Sequence, residues 1–547
     1  MNILKRKIMY LFLVHNFLCV AQPKLVVCLV VDQLSQSNLM RLAPFMNGGI
    51  KKLLTQGIVY HNASWPSSIA ATGPNHTGLV TGTVGAIHGI IANDWFGRDG
   101  VKIDCDSDTS ERAAVFSPSG FYAFGKSARN IMVDTVGDQA MIANNSCAPF
   151  TVISVSLKSR SAIAMAGHLG KAFWFDTHAG RFTSSKAYFA QFPPWMNEFN
   201  NSIKNIKEYT WHLLFEKNSC TYDFVDPDTY AHSRIESLLN KKLDQSLTTT
   251  KEFYSMLIET PKGHELVLNA AYAALEQSML TNSNATVLLF VGLSAVDKMG
   301  HLFGADSYEY CDSLFQLDAY VQQFMKKIET KIQSKDTLFI LTSDHGSMPI
   351  PELLQKKGFS LARRIVTTTL VEQINSFAEK KFGIHQLLQE IDTPNIYFDL
   401  KQWITLEKEK QKKIIKALKR FLKKQKGFKN VWSYEELAHG NFNKYNQALI
   451  YKNQLFPERS GQLIFQVYPY VYVSKYTNGT GHKTPYAYDT HVPLIVYQPT
   501  ILENKKIMQS VFVQQVACTL SALLHIPQPS AATFSILPGI CEGKKHD

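Results

Sequence analysis

The sequence predicts an α/β fold in which a largely parallel central sheet is flanked by helices. Three apolar, β-rich runs each end at or just before an aspartate. They are 25–31 before Asp32, 287–291 before Asp297, and 338–343 before Asp344. Continuous apolar runs of this length are typical of strands buried on both faces by helices. Helical patterns over 256–279 and 308–332 complete the alternation.

Residues 22–547 are long enough for one large core with insertions or for several domains. The 547 residues are 45% hydrophobic and 19% charged, a globular composition that excludes disorder as the main state. Two stretches, about 182–251 and 353–479, break the strand and helix rhythm and are rich in aromatic residues and lysines. We expect these two stretches to be insertions that form a cap beside the core.

The N-terminal residues 1–21 have the pattern of a signal peptide. Basic residues at 5–7 precede a mostly apolar run at 8–21, and small residues precede a cut ahead of Gln22. An uncleaved anchor is the alternative, which the short, interrupted run disfavours. We therefore expect a periplasmic or secreted protein with no membrane partner after cleavage.

Export permits disulfides, but the cysteine count is odd once Cys19 leaves with the signal peptide. At least one thiol then stays unpaired within the chain, and Cys28, inside a hydrophobic strand, is the candidate. Pairing among the others stays open. These are Cys105, Cys147, Cys220, Cys311, Cys518 and Cys541.

The chain is basic, which favours anionic substrates. Its formal charge of +12 falls to +9 without the signal peptide, and lysines concentrate between 408 and 429. Apolar residues there keep helical spacing and Gly427 supplies a stop, so we predict an amphipathic helix with a solvated basic face. A polyanion site on this helix is the alternative. We expect no specific nucleic-acid partner.

The residues around the strand-end aspartates favour a metal centre. Taken singly, each aspartate could cap the next helix. However, His301 follows Asp297 by four residues, on one face of a helical turn, and His345 follows Asp344 directly. A third histidine, His482, lies in a glycine-rich stretch. Carboxylates with imidazoles are zinc ligands, and ligands gather where parallel strands end.

Thr72 is the candidate nucleophile. Its hydroxyl is followed by small residues in the segment 66–78, and it could simply cap a helix. A hydroxyl at a helix N-terminus is also well placed to attack phosphate, because the helix dipole favours the anion. A glycosylation sequon begins at Asn75, where a glycan would obstruct this chemistry, so a bacterial periplasm suits the chain best.

An ordered set of motifs resembles the alkaline phosphatase superfamily. They are VVDQ, HTGLVTG, IHGIIANDWF, VSLKSR, AFWFD, VDKMGH, TSDHG, GTGH and YDTHVPL. The closest resemblance is to the phosphate-irrepressible (PafA-type) monoesterase branch, related to phosphodiesterases and nucleotide pyrophosphatases. The matching runs extend over roughly 24–540, and they imply an alkaline phosphatase-like core in one catalytic domain over residues 22–547.

The resemblance implies two Zn²⁺ ions and a phosphate clamp. One zinc would be held by Asp297, His301 and His482, and the other by Asp32, Asp344 and His345, with Thr72 also in contact. The clamp would be Asn93, Lys158 and Arg160. Four histidines fall outside this set, with His491 as structural support. They are His76, His88, His168 and His491.

The implied activity is hydrolysis of small-molecule phosphate monoesters through a phosphothreonine at Thr72. A phosphodiesterase or nucleotide pyrophosphatase is the nearest alternative, but Lys158 and Arg160 argue against it, because a second cationic contact suits a dianionic phosphate. A sulfatase is disfavoured because its nucleophile motif is lacking. An inactive metal- or phosphate-binding protein is the remote alternative. The natural substrate and the oligomeric state stay open.

Overall fold

The computed structural model describes residues 22–97, 99–117, 120, 122, 124–144 and 149–540. The predicted signal peptide, together with Cys147 and Cys541, lies outside them. Among these residues, no helix combines the length and apolar character needed to cross a bilayer.

The strands are numbered in chain order. They are β1 (Leu25–Val31), β2 (Ile58–Ser64), β3 (Asp94–Phe96), β4 (Lys102–Asp104), β5 (Ser107–Asp108), β6 (Gly125–Lys126), β7 (Phe150–Ser156), β8 (Lys171–Asp176), β9 (Arg181–Thr183), β10 (Glu208–Thr210), β11 (Lys242–Asp244), β12 (Thr286–Leu293), β13 (Thr337–Thr342), β14 (Arg363–Val366), β15 (Leu388–Asp392), β16 (Asn395–Phe398), β17 (Phe428–Ser433), β18 (Leu463–Val467), β19 (Val471–Ser474), β20 (Leu494–Tyr497) and β21 (Lys505–Phe512).

The helices are numbered in the same way. They are α1 (Gln36–Leu42), α2 (Gly49–Gln56), α3 (Thr72–Thr81), α4 (Gly85–His88), α5 (Val136–Ile142), α6 (Ser159–Ala166), α7 (Pro194–Lys204), α8 (Thr250–Leu257), α9 (Lys262–Thr281), α10 (Ala295–Phe303), α11 (Tyr308–Glu329), α12 (Pro351–Lys356), α13 (Thr367–Phe382), α14 (Leu400–Trp403), α15 (Lys408–Lys424), α16 (Tyr434–His439), α17 (Ala448–Lys452), α18 (Ala487–Thr490) and α19 (Gln515–Leu523).

The predicted α/β fold is confirmed. The central sheet has the strand order β21-β2-β20-β13-β1-β12-β7-β8-β9, and β13, β1, β12 and β7 run parallel. Strand β1 is buried throughout: Val27 and Leu29 point into the core on one face, while Val26 and Cys28 point into the core on the other. The apolar runs therefore alternate between two cores, as a sheet covered on both faces requires.

One predicted helix is divided in two. The pattern over 256–279 falls partly on α8 and mainly on α9, and Pro261 lies between them. Proline lacks an amide hydrogen and disfavours helical geometry in the residue before it, so the chain ends one helix and starts another. The pattern over 308–332 forms the single helix α11.

The cysteines in the described part of the chain form no disulfide with one another. They are Cys28, Cys105, Cys220, Cys311 and Cys518. Cys28 is fully buried in β1, and burial raises the pKa of its thiol to about 12. It is therefore an inert core residue.

The two stretches expected to form a cap differ in construction. Residues 363–474 contain a second sheet, β15-β16-β18-β17, with its own core, to which α13 and α15 contribute. The predicted basic helix is α15, and Gly427 follows it with a φ of 105°. In the first stretch, β9 belongs to the central sheet, and Trp211 packs into the main core.

Candidate active site

Four neighbouring parallel strands carry seven of the ten predicted site residues at one edge of the sheet. Asp32 follows β1, and Asp344 and His345 follow β13, while Asp297 and His301 lie on α10 after β12. Lys158 and Arg160 follow β7 at the start of α6. Because parallel strands end at the same edge, residues far apart in sequence meet there.

The first candidate metal group is formed by Asp297, His301 and His482. One ligand atom from each lies within 4.8 Å of the others. Asp297 Oδ1 is 3.3 Å from Nε2 of His301 and 3.9 Å from Nε2 of His482. This is the set that the family resemblance assigned to one zinc.

Backbone carbonyls set the orientation of the histidines. The Nδ1 atom of His301 lies 2.9 Å from the backbone oxygen of Thr480. The Nδ1 atom of His482 lies 2.5 Å from the backbone oxygen of Ala70, and that of His345 lies 3.0 Å from the backbone oxygen of Gly346. A carbonyl can only accept a hydrogen bond, so each Nδ1 carries the hydrogen. Each Nε2 then offers its lone pair to a metal ion, the arrangement that metal-binding histidines use.

The second candidate metal group is formed by Asp32, His76 and Asp344, since one ligand atom from each lies within 4.8 Å of the others. His345, which was expected in this group, lies beside it. His345 Nε2 is 3.2 Å from Asp344 Oδ2. His76, which the sequence left outside the metal set, is almost as close, because its ring lies 3.6 Å from both Asp32 Oδ1 and Asp344 Oδ2. The signal that could have found it is its position four residues after Thr72, one turn along the same helix.

The donor atoms of the second group and of His345 fit a bound cation. Four of them are buried and have no hydrogen-bond partner among the described residues: Asp32 Oδ1, Asp344 Oδ2, His76 Nε2 and His345 Nε2. Burial and the neighbouring carboxylate of Asp344 raise the pKa of Asp32. Buried polar atoms without partners are costly, and an ion held by oxygen and imidazole nitrogen would satisfy them. Such a donor set suits zinc.

Thr72 is the first residue of α3. Ala71 before it is extended and occupies the cap position, so the Thr72 hydroxyl does not cap the helix, which was the alternative interpretation. Asn93 Oδ1 accepts a hydrogen bond of 2.7 Å from the Gly73 amide. This contact joins Asn93 to the start of the nucleophile helix and leaves the Asn93 amide nitrogen available to a ligand.

Two cations lie beside Thr72. Lys158 Nζ is 3.5 Å from Thr72 Oγ1, 2.8 Å from Asp32 Oδ2 and 2.6 Å from Asp297 Oδ2. Burial disfavours the charged form of Lys158, but the carboxylates of Asp297 and Asp32 outweigh it and raise its pKa. The ammonium therefore stays charged and contacts one aspartate from each candidate metal group.

Arg160, the second cation, has no hydrogen-bond or ion-pair partner within the residues that the structure describes. It lines the same cavity of about 550 Å³ as Thr72, Asn93 and Lys158. Burial opposes its charge, but Cys105 and nearby aspartates, Asp106 among them, raise its pKa. A planar guanidinium has five donors in a fork that matches phosphate oxygens, so the cavity presents a preformed anion contact.

Gln33 connects the two candidate metal groups, a role that sequence reasoning missed. Its backbone amide donates to Asp344 Oδ1 at 3.1 Å, and its side-chain amide donates to Asp297 Oδ1 at 3.2 Å. It has a φ of 64°, which is unusual for a residue with a side chain. A Cβ on Gly300 would lie 1.5 Å from Gln33 Oε1, so that glycine leaves room for the Gln33 side chain.

The loop that bears His482 is held by residues from both predicted insertions. The Thr480 oxygen that orients His301 also accepts from Arg234 Nη2 at 3.0 Å and from Tyr472 Oη at 3.1 Å. Arg364 donates to the neighbouring Gly479 oxygen at 2.8 Å. Residues of both insertions therefore help to position His301, a candidate metal ligand. Neither insertion contains one of the candidate ligand aspartates.

We expect Arg234→Ala to weaken metal binding at the Asp297, His301 and His482 group by about tenfold. Arg234 bonds to the Thr480 carbonyl that orients His301, so its effect should lie at the lower end of the roughly 10- to 100-fold range typical of groups bonded directly to a metal ligand. Zinc titration against a competing chelator measures it. Arg363→Ala is the matched control, since the Arg363 guanidinium donates to carbonyls of Ser360 and Leu361. Unchanged zinc affinity in Arg234→Ala would contradict the positioning role.

The remaining histidines of the sequence set contact other partners. His88 accepts from the Ile90 amide, His168 pairs with Asp138 at 2.9 Å, and His491 bonds to the His61 oxygen at 2.7 Å. None of these three belongs to either candidate group in the described part of the chain.

Comparisons with known proteins show which family the chain resembles over most of its length. The family model for type I phosphodiesterases and nucleotide pyrophosphatases matches residues 26–492. The alkaline phosphatase PhoV of Synechococcus elongatus is 30% identical, over 95% of this chain and 93% of its own. The alkaline phosphatase PafA of Elizabethkingia meningoseptica is also 30% identical, over 94% of this chain and 93% of its own. A PafA crystal structure superimposes with a TM-score of 0.83 at 27% identity, covering 94% of this chain and 98% of that one.

Proposed function

Because the chain belongs to the type I phosphodiesterase / nucleotide pyrophosphatase family and is a phosphatase of the alkaline phosphatase superfamily, we propose that it hydrolyses phosphate monoesters through a phosphothreonine at Thr72, using two zinc ions. The observation that carries the proposal is the placement of Lys158 and Arg160 beside Thr72 in one cavity. We also propose a periplasmic or secreted location and small-molecule substrates.

The first step is an in-line attack of Thr72 Oγ1 on phosphorus. A covalent bond forms between this oxygen and phosphorus, and the bond to the leaving alcohol oxygen breaks. The zinc ions, held by the two groups described above, would supply Lewis-acid stabilisation of the entering and leaving oxygens. Water then hydrolyses the phosphothreonine, which releases phosphate and restores Thr72.

The protein's own side chains orient the phosphoryl group. The Arg160 fork and the Lys158 ammonium face the non-bridging oxygens, and Asn93, held through its Oδ1 by the Gly73 amide, offers its amide hydrogens. Asn93 and Arg160 already line the cavity before substrate binds, so little reorganisation of these two donors accompanies the development of charge. Lys158 must first exchange its carboxylate partners, Asp32 and Asp297, for a phosphate oxygen. Burial of the site strengthens every one of these contacts.

Two cations favour a monoester over a diester. A monoester presents a dianionic phosphoryl group with three unesterified oxygens, whereas a diester has one charge fewer and carries an alkyl group on one oxygen. The second cation therefore gains most from a monoester. A phosphodiesterase would need one of these positions to accept an ester group.

We expect the purified protein to contain about two zinc ions and to lose its activity on chelation, with recovery on adding zinc. Elemental analysis and the catalytic efficiency on matched aryl phosphate mono- and diesters, measured on the same sample, test both parts. The monoester should be the better substrate. An active sample without a transition metal would overturn the cofactor, and a preference for the diester would return the phosphodiesterase alternative.

A further inference from the structure

A second cavity lies beside the basic helix, apart from the one that holds Thr72. Its volume is about 1030 Å³, nearly twice that of the catalytic cavity. One wall is α15, and the opposite walls come from the second sheet, from α14 and α16, and from the β3 hairpin. The cavity has no role in the proposed phosphatase reaction.

The lysines of α15 that line this cavity lie on one face of the helix. They are Lys408, Lys412, Lys416, Lys419 and Lys423. Their spacing of three or four residues places one cation about every 6 Å, over about 22 Å of helix. The helix therefore presents an extended row of positive charge to the cavity.

Most of these cations are not neutralised within the protein. Lys412 pairs with Glu409 and Lys419 pairs with Glu436. In contrast, three cavity-lining lysines and one arginine have no hydrogen-bond or ion-pair partner among the described residues. They are Lys408, Lys416, Lys423 and Arg420. All four are exposed.

Aromatic side chains lie in the same cavity. Phe96, Trp403 and Tyr434 are partly exposed there, and Phe96 packs against the buried Tyr397 with ring centroids 5.2 Å apart. Trp403 packs edge-on against Phe398, with centroids 4.8 Å apart. Phe96 and Trp403 are thus held in place by a neighbouring ring, and their exposed surface lines the cavity.

We propose that this cavity binds single-stranded nucleic acid. A row of unpaired cations beside aromatic rings is the combination that holds a phosphodiester backbone and lets bases stack. An inorganic polyphosphate would form ion pairs with the lysines, but it has no base that could stack on the aromatic rings. The proposal takes up the polyanion alternative for the exposed basic face of α15, and it departs from the expectation that the chain has no specific nucleic-acid partner.

The matched variants lie on the same helix. Lys408→Gln, Lys416→Gln and Lys423→Gln together remove three cations from the cavity. Lys410→Gln, Lys413→Gln and Lys424→Gln remove three exposed cations of α15 that do not line it. Both triple variants change the net charge equally, so diffuse attraction to an acidic polymer weakens equally in both. Equal turnover of an aryl phosphate shows that both variants are folded.

The probe is a labelled oligothymidine of about twelve nucleotides with hydroxyls at both ends. Saturating inorganic phosphate fills the catalytic cavity, and fluorescence anisotropy measures binding. We expect the cavity variant to weaken binding by about tenfold or more, and to reduce the slope of log affinity against log salt by about 2. The control variant should change affinity by less than about threefold, and an abasic strand of the same length should bind about tenfold more weakly.

Four outcomes would overturn the proposal. They are no binding, equal weakening in both triple variants, equal affinity for the abasic strand, and tighter binding of a sulfated oligosaccharide with the same dependence on the cavity lysines. The last result would assign the cavity to an acidic polysaccharide instead.

Discussion

Thr72→Ala is expected to reduce turnover of an aryl phosphate monoester by on the order of a thousandfold or more, because removing a covalent nucleophile eliminates the step that it performs. The hydroxyl belongs to the first residue of α3 and faces Lys158 rather than capping the helix. Its loss should leave the fold and the metal content unchanged, since the aspartate and histidine ligands of the adjoining group remain.

Two variants on the same helix make this test specific. Thr72→Ser keeps a hydroxyl and should retain part of the activity, with the phosphate trapped on residue 72 by acid quenching and located by mass spectrometry. Thr77→Ala removes another buried hydroxyl, which bonds to the Gly73 oxygen at 2.8 Å, and should stay within about tenfold of the parent rate. Near-native turnover by Thr72→Ala would show that the nucleophile is wrongly assigned.

The sequence was most informative where a strand ended. The apolar runs before Asp32 and Asp344 are strands of the parallel sheet. Asp297 is the third residue of α10, the helix that follows β12. A strand buried on both faces is built mainly of apolar side chains, so the first charged residue after such a run indicates that the chain has left the sheet. That edge is also where ligands bind, so the pattern predicts fold and site together.

The contacts that hold the site in place were not predictable in this way. Gln33 bonds to two aspartates, and Arg234 bonds to the carbonyl that orients His301. Both depend on segments hundreds of residues apart approaching in three dimensions. No local periodicity records such an approach. The break between α8 and α9 at Pro261 is of another kind, because the chemistry of proline is enough to predict it. It was missed because the pattern of apolar residues continues across the proline.

The structure also refines the expected place of Lys158. The resemblance placed its ammonium on phosphate, whereas the ammonium spans Asp32 and Asp297. A lysine side chain is long and carries a compact charge, so the same group can exchange carboxylate partners for a phosphate oxygen when metals bind the carboxylates. Arg160 pairs with neither aspartate, and its contribution to substrate binding can therefore be measured separately.

Removing both cations tests the substrate class. Lys158→Ala with Arg160→Ala should lower catalytic efficiency on a phosphate monoester by on the order of a hundredfold or more, because one preorganised charge-stabilising donor contributes roughly 3 to 4 kcal/mol. The loss on a matched diester should be far smaller, since the diester has one charge fewer and an alkyl group at one of the contacted oxygens. Steady-state kinetics on the two substrates gives the ratio.

Controls separate substrate binding from metal binding. Lys298→Ala removes a cation of the same cavity that already pairs with Glu259 at 3.4 Å, and should affect both substrates by less than about tenfold. Arg160→Ala alone should lower monoester efficiency while the zinc content stays at the parent value. Equal losses on monoester and diester in the double variant, accompanied by loss of zinc, would show that the pair supports the metal groups, and the phosphodiesterase alternative would then take precedence.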